Sequence, residues 1–106
     1  GVKKYILDKE LTKEQIIELA KNLARKRGIE ENLFLKVMLR ESGGNPLAVG
    51  DIDNPDKGCK SRGLFQINDC FWPEVSDECA YGVECNLNWA ADRFREGRVE
   101  LFNTWR

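Results

Sequence analysis

The sequence predicts a small, mainly helical domain of α+β class with an irregular hairpin or loop inserted between its helices. Three observations predict it. A capped amphipathic repeat lies near the N-terminus, a second helical segment is apolar on more than one side, and a polar, turn-rich stretch over residues 49–62 separates these from a later amphipathic repeat. With 106 residues the chain suits one domain and one modest core, here residues 11–106, preceded by an arm at residues 1–10.

Thr12 followed by Gln15 forms a capping box, and Ile16, Leu19, Ala20 and Leu23 recur at helical spacing, so a helix is predicted over residues 12–27, ending near Gly28. From Glu31 to Ser42 the apolar residues Leu33, Phe34, Leu35, Val37, Met38 and Leu39 span most of a helical wheel, which places this helix at the centre of the domain. Gly43-Gly44 and Pro46 stop it. Between Val49 and Arg62 the chain is rich in turn residues and reads as a loop or irregular hairpin. Leu64, Ile67 and Phe71 then predict a short helix broken at Pro73, and Asn86 is expected to cap a last helix carrying Leu87, Ala90, Ala91 and Phe94, with Gly97 at its end. The expectation is four helices around one core.

Composition excludes several functions. The 17 basic and 18 acidic residues give a net charge of −1, without the basic excess of a nucleic-acid binder, so no nucleic-acid partner is expected. The absence of histidine removes Ser-His-Asp and Cys-His triads and imidazole general bases, leaving acid–base work to carboxylates. The longest apolar runs, Leu33 to Leu35 and Val37 to Leu39, are far shorter than the roughly 18 residues of a membrane span, and no membrane insertion is expected. Neither a cofactor nor a metal is implied, and a monomer is expected.

Cys59, Cys70, Cys79 and Cys85 all lie in the second half. Two disulfides are preferred over a four-thiolate zinc site, which lacks a Cys-x-x-Cys knuckle, and over reduced thiols. Cys59 with Cys70 and Cys79 with Cys85 is the favoured pairing, because each closes a short loop. Disulfides imply an oxidising compartment, meaning secreted, periplasmic or cell-surface.

Glu41 follows Phe34, Val37 and Met38 by seven, four and three residues, and so continues one side of the central helix's apolar surface. Partial burial there disfavours the charged form, as a general acid working near neutral pH requires. The alternative is an ordinary helix-end glutamate, solvated or paired with Arg40 or Arg62. Glu41-Ser42-Gly43-Gly44-Asn45-Pro46-Leu47-Ala48, followed after a polar turn by Ser61-Arg62-Gly63-Leu64-Phe65-Gln66-Ile67-Asn68, resembles the Glu-Ser and Gly-Leu-x-Gln signatures of soluble lytic transglycosylases and of lysozyme-like muramidases. The resemblance covers about residues 14–106, including Asn86-Leu87-Asn88-Trp89-Ala90-Ala91.

The resemblance implies an α+β lysozyme-like fold with the hairpin or loop beside a catalytic cleft. It also implies cleavage of the β-1,4 bond between N-acetylmuramic acid and N-acetylglucosamine in peptidoglycan glycan strands. Glu41 would be the catalytic acid, then the base as the sugar's C6 hydroxyl closes a 1,6-anhydro ring. Ser42, Ser61, Gln66, Asn68 and Trp89 are the expected substrate-binding residues, Gln66 through an amide that donates to and accepts from sugar groups. The chain departs from the pattern in two places. Ser61 stands where animal-type lysozymes carry their second carboxylate, leaving Asp51, Asp53 and Asp56 as candidates for that role, and the Ala-Tyr-Asn-Ala-Gly motif is missing. Lysozyme-type hydrolysis, a non-catalytic glycan-binding module and a calcium loop at Asp51 to Gly58 are the alternatives; the last is off the EF-hand spacing by one residue.

Overall fold

Helix α1, Lys13–Arg27, starts with the expected capping box: Thr12 Oγ1 accepts from Gln15 N–H, and Gln15 Oε1 accepts from Thr12 N–H at 2.8 Å. It ends at Gly28, whose left-handed backbone lets its N–H return to the last carbonyls. In this computed structural model, which describes residues 11–50 and 58–97, α1 buries Ile16, Ala20 and Ala24, and the two alanines admit close packing against the neighbouring helices. The N-terminal arm, the acidic stretch with Asp51, Asp53 and Asp56, and the C-terminal residues 98–106 lie outside the described residues.

Helix α2, Glu31–Ser42, is the central helix expected. Glu30 caps its start through Asn32 and Leu33 N–H, and Gly43, at φ 66°, ends it. Phe34, Val37 and Met38 are fully buried, and Leu33, Leu35 and Leu39 pack half-buried around the same core. Phe34 anchors an aromatic cluster, with ring centroids 4.8 Å from Phe65 and 5.1 Å from Phe94. A two-pronged pair joins α1 to α2, Arg25 Nε and Nη2 donating to Glu31 at 3.1 and 3.0 Å.

The hairpin expected over residues 49–62 is the first part of a three-stranded antiparallel sheet. Strands β1 (Val49–Gly50), β2 (Ser61–Arg62) and β3 (Ile67–Asn68) lie in that order, with Gly50 opposite Ser61 and Ser61 opposite Asn68. The short helix expected from Leu64, Ile67 and Phe71 is not formed. A tight turn, residues 63–66, joins β2 to β3, and the turn lies in the core: Leu64, Phe65 and Ile67 are all buried, whereas Phe71 is 80% exposed. The apolar spacing came from a hairpin covered on both faces, which mimics one turn of amphipathic helix.

Ser76 caps a four-residue helix α3, Asp77–Ala80, that the sequence reading missed, and α4 follows over Val83–Arg95. Among the described residues there are four helices, the third of them different from the one expected. Gly82, not Asn86, precedes the first turn of α4. Asn86 lies inside that helix, fully buried, because its side chain is used across the core instead of at a helix end. Leu87, Ala90, Ala91 and Phe94 form the buried face as expected. Both disulfides pair as expected, Cys59 with Cys70 and Cys79 with Cys85, so every cysteine is spent.

Candidate active site

The site begins where the central helix leaves the core. Glu41 sits half-buried in the last turn of α2, directly beyond the buried face formed by Phe34, Val37 and Met38. Ser42 fixes the helix end: its Oγ donates to Met38 carbonyl at 3.1 Å and accepts from Gly44 N–H at 3.2 Å. Ser42, expected among the substrate-binding residues, thus caps its own helix. Asn45 Oδ1 accepts from Leu47 N–H, shaping the turn before β1.

That turn ends on a junction. The Ala48 carbonyl accepts from Gly63 N–H at 2.8 Å and from Gln66 Nε2 at 3.2 Å, so the segment leaving Glu41 is fastened to the β2–β3 turn. Gln66 has the left-handed φ of 53°, and its Nε2 also donates to Gly63 carbonyl at 2.9 Å. Two carbonyls facing one end of the amide fix its orientation. Both of its N–H groups are thereby used, and Oε1 is left as an acceptor. The donor side of Gln66, expected to be available to a ligand, is thus engaged within the fold. A Cβ at Gly50 would fall on Gln66 Oε1, so glycine at this strand position is what leaves the oxygen its place.

Two buried polar side chains, neither assigned to the site by sequence reasoning, hold this turn from behind. Asn86 Oδ1 accepts from Phe65 N–H at 2.9 Å, while its Nδ2 donates to Ala80 carbonyl at 2.7 Å and to Arg62 carbonyl at 3.2 Å. Arg62 is only 2% exposed. Its guanidinium donates to Ile67 carbonyl, Val75 carbonyl and Asp77 Oδ1, each at 2.9–3.0 Å, which commits it to Asp77. Gly63 lies so close to these groups that a Cβ there would strike Ala80 carbonyl and Asn86 Nδ2. The sequence signal was a polar residue at an otherwise apolar helical position, which was read as a cap.

The remaining expected contacts are distributed as follows. Ser61 is buried in β2, between Gly50 and Asn68. Asn68 Oδ1 accepts from Cys70 and Phe71 N–H, a turn-forming role. Trp89 packs against the core and meets Trp72 edge to face at 5.1 Å, with the Arg93 guanidinium 5.2 Å from its ring, so its stacking partners are internal. The three candidate aspartates for a second carboxylate, and the calcium loop built on them, fall outside the described residues. Among the described residues the one cluster with metal-ligand spacing is Cys59, Asp69 and Cys70, whose two sulfurs are bonded to each other. No helix among them is long and apolar enough to cross a membrane.

Compared with known proteins, residues 21–98 match a family model described as a lysozyme-like domain. No match was found among curated proteins or among solved structures. The matched span contains Glu41, the β2–β3 turn with Gln66, and both residues that hold the turn.

Proposed function

Because the chain belongs to the lysozyme-like domain family, we propose that it cleaves the β-1,4 bond between N-acetylmuramic acid and N-acetylglucosamine in peptidoglycan, with Glu41 as general acid and then general base. The observation that carries this reading is the place of Glu41, a half-buried residue in the last turn of α2 just beyond the buried Phe34, Val37 and Met38. A glycosidic oxygen leaves readily only when protonated, and a neutral glutamic acid supplies that proton as positive charge develops at the sugar's anomeric carbon.

The outcome we favour is that of a lytic transglycosylase. The C6 hydroxyl of the muramic acid attacks its own anomeric carbon, Glu41 carboxylate takes the hydroxyl proton, and the products are a 1,6-anhydro end and a free 4-hydroxyl on the departing sugar. This route needs no second carboxylate, which accords with a serine at position 61. Gln66 Oε1 would accept from a hydroxyl or acetamido N–H of the glycan, and the two disulfides suit work in an oxidising compartment outside the cytosol.

Mass spectrometry of fragments released from purified peptidoglycan by wild type and Glu41→Gln tests the proposal. Fragments lighter than hydrolytic ones by one water, about 18 Da, are expected from wild type alone. Hydrated reducing ends would replace ring closure with lysozyme-type hydrolysis. Equal release by both proteins would remove Glu41 from the reaction, and release by neither would leave a glycan-binding module.

A further inference from the structure

Gln66 sits in a turn that its own N–H and Nε2 close onto the Gly63 carbonyl, and that is held from outside as well. Its left-handed φ costs a non-glycine residue free energy, and contacts from outside the turn help to keep it. The contacts come from the opposite side of the core. Asn86 Oδ1 takes the N–H of Phe65, the residue immediately before Gln66, and Asn86 Nδ2 takes the carbonyl of Arg62, immediately before Gly63. One fully buried primary amide therefore grips the turn at both ends and ties it to Ala80 carbonyl at the end of α3. All four hydrogen-bonding sites of an asparagine amide are rarely used at once; here three are, and all are backbone contacts to separate elements.

We propose that Asn86 is a positioning residue for the reaction. It fixes the Gly63–Gln66 turn, and through the bond from Gln66 to Ala48 carbonyl it fixes the segment that leaves Glu41. It touches no substrate itself. This inference rests on the reading of Gln66 and Glu41 given above. The path is continuous: Asn86 to Phe65 N–H, through the backbone to Gln66, and from Gln66 Nε2 to the carbonyl of Ala48, whose N–H closes the turn onto the Asn45 carbonyl. A buried apolar residue at position 86 would fill the same space but remove the partner of the Phe65 N–H and a donor to two carbonyls, so the turn would relax toward other pairings.

The test is a double-mutant cycle read in two ways. Asn86→Ala is expected to lower kcat/KM on glycan fragments about 10- to 100-fold, the effect of a small misplacement of site groups. In a Gln66→Ala background the same substitution is expected to cost less than about twofold more, because the two act through one turn. Backbone amide exchange, which needs no activity, is expected to quicken at Gly63, Phe65 and Gln66 while α1 and the first turns of α2 keep their protection. Should Asn86→Ala fail to fold, Asn86→Asp takes its place, since it keeps the shape and loses both donors; quickened exchange at Gly63 and Gln66 is then expected. Additive losses in kcat/KM, unchanged exchange in the turn, or a uniform rise across the chain would each overturn the proposal. If wild type releases no fragments, the catalytic reading falls by itself, and the exchange pattern alone decides whether Asn86 holds the turn.

Discussion

Gln66 and Ala48 are joined side chain to backbone, Nε2 to carbonyl oxygen at 3.2 Å, across the gap between the β2–β3 turn and the loop that follows the central helix. The bond turns two separate sequence motifs into one mechanical unit. It also limits Gln66, because an amide that spends both N–H groups on Ala48 and Gly63 offers a ligand only its oxygen.

Glu41→Gln is expected to abolish measurable fragment release, a loss of about 10²- to 10⁴-fold for removal of a general acid, while the far-UV and near-UV circular dichroism spectra stay those of wild type. The substitution preserves shape and hydrogen-bonding capacity at a half-buried site. Unchanged release with unchanged spectra would count against Glu41 as the acid.

Gly63→Ala and Gly43→Ala are expected to differ sharply, although both positions have left-handed backbone. At Gly43 a Cβ meets nothing within 4 Å, and the cost is the conformational one alone, about 1–2 kcal/mol. At Gly63 the Cβ meets the Ala80 carbonyl and the Asn86 amide, so the loss should exceed that at Gly43 by about 1 kcal/mol or more. Urea denaturation of the two variants orders them, and equal losses would show that the contact at Gly63 relaxes freely.

Phe34→Ala is expected to destabilise the fold by about 3–5 kcal/mol, because Phe34 is fully buried and its ring contacts both Phe65 and Phe94. Phe34→Leu, which keeps most of the volume, should cost well under half of that. Chemical denaturation with a constant slope against denaturant would give both values.

Replacing either cysteine pair by serine is expected to lower stability by about 2–3 kcal/mol on the loop-entropy account, with slightly more for Cys59 and Cys70, whose separation of 11 residues exceeds the 6 between Cys79 and Cys85. Thermal melts of the two double variants would check both the size and the order.

Acidification is expected to weaken the link between α1 and α2. The hydrogen bonds from the Arg25 guanidinium hold the Glu31 carboxyl below the usual carboxylate range. A lowered folded-state value means that the pair's contribution is present above the ordinary carboxylate range and is lost as pH falls through the folded-state value. The stability gap between wild type and Glu31→Gln should therefore close on acidification. Both groups are exposed, so added salt should shrink the same gap at neutral pH. Melting temperatures across pH at two salt concentrations would show either trend, and a gap that widens in acid would contradict it.

The first two helices were legible because their signals are local. Thr12 and Gln15 cap α1, Gly28 and Gly43 end α1 and α2, and the apolar residues of α2 cover most of its circumference. The two disulfides were legible from loop length. The β2–β3 hairpin was not, since strands of two residues are too short to show an alternation, and Leu64, Phe65 and Ile67 are buried together by elements far along the chain. Asn86 was misread for the same reason: its partners lie 6 to 24 residues away, and local propensity points to a cap. Of the site, the residue types and order of Glu41 and Gln66 were visible, but the number of hydrogen bonds that Gln66 keeps for the fold was not.

The Cys59–Cys70 bridge closes around the β2–β3 hairpin, one sulfur just before Ser61 and the other just after Asn68, whereas α1 and α2 contain no cysteine. The two halves of the candidate site thus mature under different chemistry. The helix that carries Glu41 can assemble from side-chain packing as soon as the chain collapses, but the β2–β3 hairpin receives its covalent closure only where thiols are oxidised. A chain in a reducing interior therefore carries Glu41 on a packed helix but a β2–β3 hairpin without its covalent clasp.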